Sequence, residues 1–109
     1  MSSSAPRVAI VLTTIAAEAD GPAFATTLVN ERLAACVNVL PAMTSVYRWK
    51  GQVEQDREQQ LVIKTTADRL PALEARIRAL HTYEFPEFLV MTVDEGSAAY
   101  LAWIDEAVR

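Results

Sequence analysis

Cysteine occurs once, at Cys36, so no disulfide can close within the chain, and a reducing, cytoplasmic setting is expected. Histidine also occurs once, at His81, and no CxxC or HxxxH pairing exists. One thiol and one imidazole cannot supply the four ligands of a structural zinc site within one chain. There is no phosphate-binding loop, nucleophile–base signature or metal-hydrolase motif, which argues against an enzyme. Glycine and proline are sparse, three and five residues, while 51% of the chain is hydrophobic, a balance that excludes general disorder. Basic residues are outnumbered by acidic ones, 10 against 14, for a net charge of −4. That deficit argues against nucleic acid and against an anionic membrane surface as partners. No apolar run approaches the roughly 20 residues that cross a bilayer. The start of the chain lacks a basic stretch followed by an apolar one, so no secretion signal is expected. Residues 1–6 read as a disordered tail and residues 7–109 as a single domain.

What the chain does contain alternates between strand and helix signals. Val8-Ala9-Ile10-Val11-Leu12 is apolar on both faces, as a covered central strand requires. Asp20-Gly21-Pro22 opens a helix expected to run to about Leu33 and to bury Phe24, Leu28 and Val29. A second strand starts near Cys36 and continues, interrupted at Pro41, to Trp49. Lys50-Gly51 is a hairpin turn, and the returning strand runs from Gln52 to about Thr66. Asp68 is the expected cap of a second helix carrying Leu70, Leu73, Ile77 and Leu80 at helical spacing. Phe88 to Val93 gives a last strand, and Ser97 caps a final helix. The order strand, helix, strand, strand, helix, strand predicts an α+β, ferredoxin-like βαββαβ sandwich with a C-terminal helix. Both crossover helices then lie on one sheet face, and only the terminal helix remains to cover the other.

The hairpin is long for so small a body. A compact chain of this length is about 34 Å across, from a radius of gyration of about 13 Å. Fifteen extended residues from Gln52 to Thr66 span roughly 50 Å. An unbroken strand must therefore project, and an isolated two-stranded ribbon is marginal without a neighbour. The competing reading makes Gln52–Gln60 a polar loop, because Glu54, Asp56 and Glu58 are poor strand formers. Tyr47 and Trp49 share one face of the ribbon, where a partner could cover them.

Four stretches together resemble the CutA divalent-ion tolerance family: Glu31–Asn38, Thr44–Gly51, Ile63–Thr66 and His81–Glu87, with Tyr100–Ile104 fitting as well. The resemblance covers the chain after its tail. One departure is Thr82, where the family usually places proline after the histidine. The resemblance implies a tight homotrimer whose hairpins extend the sheets across subunits, an architecture similar to the PII-type signal proteins. It also implies tolerance of divalent metal ions, with copper binding.

Under that resemblance the candidate metal ligands are Cys36, His81 and Glu84; copper(I) accepts few, soft ligands. Read without it, Cys36 is a small buried hydrophobe and His81 a polar cap at a helix end. A second constellation, Tyr47, Trp49, Lys64, Tyr83, Glu84 and Trp103, suggests an intersubunit cleft for a small-molecule effector. It could equally be a salt bridge and aromatic lock at a trimer seam, with Glu84 or another subunit's carboxylate as the partner of Lys64.

Overall fold

Alternation along two long strands organises the molecule. The computed structural model describes residues 7–109; the expected tail, residues 1–6, lies outside the described residues. In chain order the elements are β1 (Val8–Ala16), α1 (Gly21–Asn30), β2 (Cys36–Val39), β3 (Met43–Trp49), β4 (Gln52–Thr66), α2 (Leu70–Leu80), β5 (Leu89–Thr92) and α3 (Ala98–Ala107). The sheet runs β2–β4–β1–β5, with β3 pairing the outer part of β4, and every pairing is antiparallel. The second strand of the expected pattern is split at Leu40–Ala42, around Pro41. The loop reading of Gln52–Gln60 is overturned, since β4 is continuous through it.

One sheet face carries the main core. Val11 and Ile15 of β1 and Leu61 and Ile63 of β4 are buried against Leu28 of α1 and Leu73 and Ile77 of α2. Each such side chain contributes about 1.5–3 kcal/mol by leaving water. The opposite face starts one residue over. Ile10 pairs with Lys64 and Met91, Leu12 with Val62 and Leu89, and Lys64 with Cys36. Here α3 seats Ile104 and Val108 on Val8 and Ala35, at one end only. Beyond it Leu89 is 57% exposed and Met91 45%.

Two helix ends differ from expectation. α1 stops at Asn30, not Leu33, because Arg32 turns left-handed at φ 59°. The Leu33 amide then donates to Leu28 and the Arg32 amide to Val29, a Schellman closure. Val29, expected inside, is 40% exposed. Asp68 does not cap α2; it sits in a 3₁₀ turn, Ala67–Arg69, and the α2 cap position, Arg69, makes no side-chain cap bond. Its carboxylate instead receives the Arg109 guanidinium at 2.8 Å and the Thr66 hydroxyl, which together hold it well below the usual carboxylate range. That contact ties the end of α3 to the start of α2.

The hairpin projects. The molecule measures 52 × 26 × 23 Å, with a radius of gyration of 15.1 Å. Lys50 and Gly51 form the turn at φ 50° and 83°, the double positive φ that matches strand twist.

Candidate functional site

Strand period two decides what faces what on the arm. Tyr47 lies opposite Glu54, Ser45 opposite Asp56 and Met43 opposite Glu58, so aromatic and acidic side chains share one face. That face is continuous with the sheet face that α1 and α2 leave uncovered. The segment after α2 folds back over it. Tyr83 donates its hydroxyl hydrogen to Glu58 at 2.9 Å, and the Gln60 amide donates to Glu87 at 3.0 Å. Phe85 meets Trp49 edge to face, ring centroids 5.7 Å apart.

Strand, arm and folded-back segment enclose an open groove of about 580 Å³. Its walls include Tyr47, Trp49, Tyr83 and Phe85, and its carboxylates are Asp56, Glu58, Glu84 and Glu87. Thr14, Met43, Ser45 and Gln60 complete the lining. The Tyr47 hydroxyl donates to Asp56, and that bond pushes the phenol up to about 12. The Tyr83 phenol is also raised, first by burial and then by its bond to Glu58. Both phenols therefore stay protonated donors at neutral pH. Glu58 itself is only 9% exposed.

His81 acts as a latch between β1 and the segment after α2. Its Nε2–H donates to the Thr14 carbonyl at 2.6 Å, while Nδ1 accepts from the Tyr83 amide at 3.1 Å. A carbonyl only accepts and an amide N–H only donates, so the pair selects the neutral tautomer with its proton on Nε2. His81 has φ −85° and ψ 149°, the extended region that a following proline would also require, so Thr82 leaves this turn in place.

The expected site residues separate into three groups. Tyr47, Trp49, Tyr83 and Glu84 line the groove. Lys64 and Trp103 do not: the Lys64 ammonium lies 3.4 Å from the Tyr100 hydroxyl, and Trp103 stacks on Tyr100 at 5.5 Å. Lys64 forms no ion pair with Glu84; its partner is a phenol. Cys36 stands alone, half-buried beside Lys64 in the register. Among the described residues no three Cys, His, Asp or Glu side chains converge on a point that could hold a metal ion. Both nitrogens of His81 are already engaged. Cys36, His81 and Glu84 therefore do not fit an ion within a single chain.

Sequence reasoning passed over Asp56, Glu58, Gln60, Phe85 and Glu87. The signal was present as Gln52, Glu54, Asp56, Glu58 and Gln60 recurring at every second residue, which places them on one strand face.

Comparison with known proteins agrees with this geometry. The family model described as CutA1 divalent ion tolerance protein matches residues 9–107. The divalent-cation tolerance protein CutA of Thermus thermophilus is 45% identical over 97 residues, 89% of this chain and 94% of that protein. A solved structure of the divalent cation tolerance protein from Thermus thermophilus has a TM-score of 0.88 at 44% identity, over 92% of this chain and 97% of the other. A PII-like protein CutA from Nostoc has a TM-score of 0.86 at 35% identity, over 93% and 97% of the two chains. A CutA described as periplasmic, from Archaeoglobus fulgidus, has a TM-score of 0.88 at 26% identity, over 94% and 99%. With this family match and this fold, the chain belongs to the CutA1 divalent ion tolerance protein family.

Proposed function

We propose that this chain serves divalent-cation tolerance as a homotrimer, and that the carboxylate-and-phenol groove is its effector-binding cleft, completed at a subunit boundary. One observation carries the reading: the sheet face that runs into the groove is apolar yet uncovered. Leu89 and Met91 are about half exposed there, and the arm beside them extends the body to 52 Å. Exposed apolar surface of this kind marks association. The PII-like description of the Nostoc relative is consistent with a binding role for the cleft. The role proposed for the groove is binding, with Tyr83 and Glu58 already bonded to each other in its wall. Sedimentation equilibrium tests the assembly: a mass three times that of the chain is expected, and a monomer at micromolar concentration contradicts it. A small molecule seated in the cleft raises the melting temperature of that trimer, increasingly as its free concentration exceeds its dissociation constant.

A second reading concerns copper or a related ion. Cys36 favours it, a half-exposed thiol on the sheet face that association covers. Its further donors would come from other subunits, because His81 and Glu84 do not reach it within the chain. Copper titration under reducing conditions decides the matter. Cys36→Ala is expected to weaken binding and His81→Ala to spare it; unchanged affinity in both variants rules out these residues.

For location we propose the cytoplasm, on the single unpaired cysteine. Among the described residues no helix is long and apolar enough to cross a membrane. The Archaeoglobus relative makes the alternative concrete, and cell fractionation separates cytoplasm from periplasm.

A further inference from the structure

The groove carries four carboxylates, Asp56, Glu58, Glu84 and Glu87, and among the described residues no lysine, arginine or histidine lines it, although the Lys50 ammonium lies 5.5 Å from the Trp49 ring centroid at its rim. None of the four takes part in an ion pair among the described residues; those pairs are Arg76–Glu31, Arg78–Glu74 and Arg109 with Asp68 and Asp105. Neutral donors reach three of them: Tyr47 to Asp56, Tyr83 to Glu58 and Gln60 to Glu87. Such bonds satisfy an oxygen and leave the charge in place. Glu58 is the sharpest case, nine-tenths buried, one oxygen bonded to a phenol, and in no ion pair among the described residues. A buried carboxylate without a counter-charge is costly and is retained where a cation arrives from outside.

The arrangement also says what kind of cation. A metal ion needs donors converging within about 2–2.6 Å of one point. These carboxylates do not converge; among the described residues no three acidic, His or Cys side chains form such a cluster. They are instead distributed along a groove of about 580 Å³ whose walls are aromatic, with Trp49 and Phe85 in edge-to-face contact. That volume is typical of small-molecule sites, roughly 300–1,000 Å³. Aromatic faces attract diffuse positive charge, ammonium or guanidinium, and cover the carbon skeleton that carries it. We infer that the groove binds a small organic cation, an amine or guanidine compound, with its charge on Glu58 and Asp56 and its body against Trp49 and Phe85. The inference rests on the reading of the groove as the effector cleft and names the chemical class of that effector.

Thermal unfolding and calorimetry of the full-length assembly test it with four probes of similar length: putrescine, agmatine, the uncharged diol of putrescine's length, and succinate. A melting temperature that rises with the logarithm of putrescine or agmatine concentration and a saturable calorimetric isotherm are expected, with neither from the diol or succinate. Glu58→Gln keeps an acceptor for Tyr83 and removes only charge, so it should fold and weaken amine binding by about tenfold or more. Trp49→Ala alters a side chain at the rim and should weaken agmatine without unfolding the protein. Equal stabilisation by the diol or succinate overturns the cation while leaving the groove as a binding cleft. Amine binding unaffected in both Glu58→Gln and Asp56→Asn puts the cation elsewhere and overturns the inference. No stabilisation by any probe overturns the inference and removes support for the cleft itself.

Discussion

Arg32 holds the left-handed conformation that closes α1, and it does so with a Cβ that this region penalises by about 1–2 kcal/mol. Its side chain makes no hydrogen bond or ion pair among the described residues that would offset the strain. The surrounding closure is otherwise complete: two amides return to the last turn, and Leu33 packs in the core with Leu28. Arg32→Gly should therefore raise stability by about 1 kcal/mol, read as a higher melting temperature at fixed protein concentration. No change would mean that the arginine is held by a neighbouring subunit. The two groove phenols offer a second check at this scale. Tyr47, raised to about 12 chiefly by its bond to Asp56, exceeds its unfolded value of about 10. Because the folded value is the higher one, the Tyr47–Asp56 contact stabilises fully below about pH 10 and is lost as pH rises through about 12. Tyr83 shifts the same way, from burial and Glu58. In an absorbance titration of the three tyrosines, two should ionise late, and Asp56→Asn should bring Tyr47 back toward about pH 10. All phenols ionising together near about pH 10 would contradict both carboxylate contacts.

Elements were legible wherever a local pattern suffices. β4 has the extent its sequence suggested, and the Lys50-Gly51 turn and the Asp20 and Ser97 caps stand where their residue types indicate. The misses have two causes, one local and one long-range. The end of α1 depends on an arginine in a glycine's conformation. Asp68 looks like a cap locally, yet Arg109, 41 residues away, claims it. The groove was half legible: Tyr47, Trp49, Tyr83 and Glu84 were recognised, while Asp56, Glu58 and Glu87 needed the cross-strand register and the fold-back after α2. Gly21 is another position whose meaning is tertiary. It opens α1, but a Cβ there would stand 2.5 Å from Gln59 Oε1 and 2.8 Å from Val39 Cγ1. Gln59 has little freedom to yield, because its amide nitrogen donates to the carbonyls of Ala16, Ala17 and Ala19 and so fastens the β1–α1 connection. Gly21→Ala should cost about 1–3 kcal/mol in spite of alanine's better helix propensity. Amide exchange should localise the loss to residues 16–21. A stabilised variant would show that the β1–α1 connection is not held by Gln59.

At the scale of the whole molecule, a single chain leaves one sheet face unfinished, and the strand register identifies the residues concerned. Leu12 pairs with Leu89 and Val62, and Ile10 with Met91, forming an apolar band between α3 and the groove. Leu89 is 57% exposed on β5, an edge strand whose four residues are all exposed. In an isolated subunit, replacing so exposed a side chain should alter stability by only about 0.5 kcal/mol. In an assembly that buries it, a carboxylate at the same position loses both the apolar contact and its own hydration, a cost of several kcal/mol per copy. The two cases give opposite results for Leu89→Asp. If the band is a subunit interface, the variant dissociates: sedimentation shows a smaller species, and the melting temperature drops and becomes strongly dependent on concentration. The circular dichroism of the folded subunit persists at low temperature, because Val11, Ile15, Leu61 and Ile63 pack on the other face. If the band is merely solvated, mass and melting temperature both remain those of the parent protein. The groove responds in the same experiment. A cleft completed at a subunit boundary loses its ligand-dependent stabilisation when Leu89→Asp separates the subunits, whereas a groove sufficient within one chain retains it.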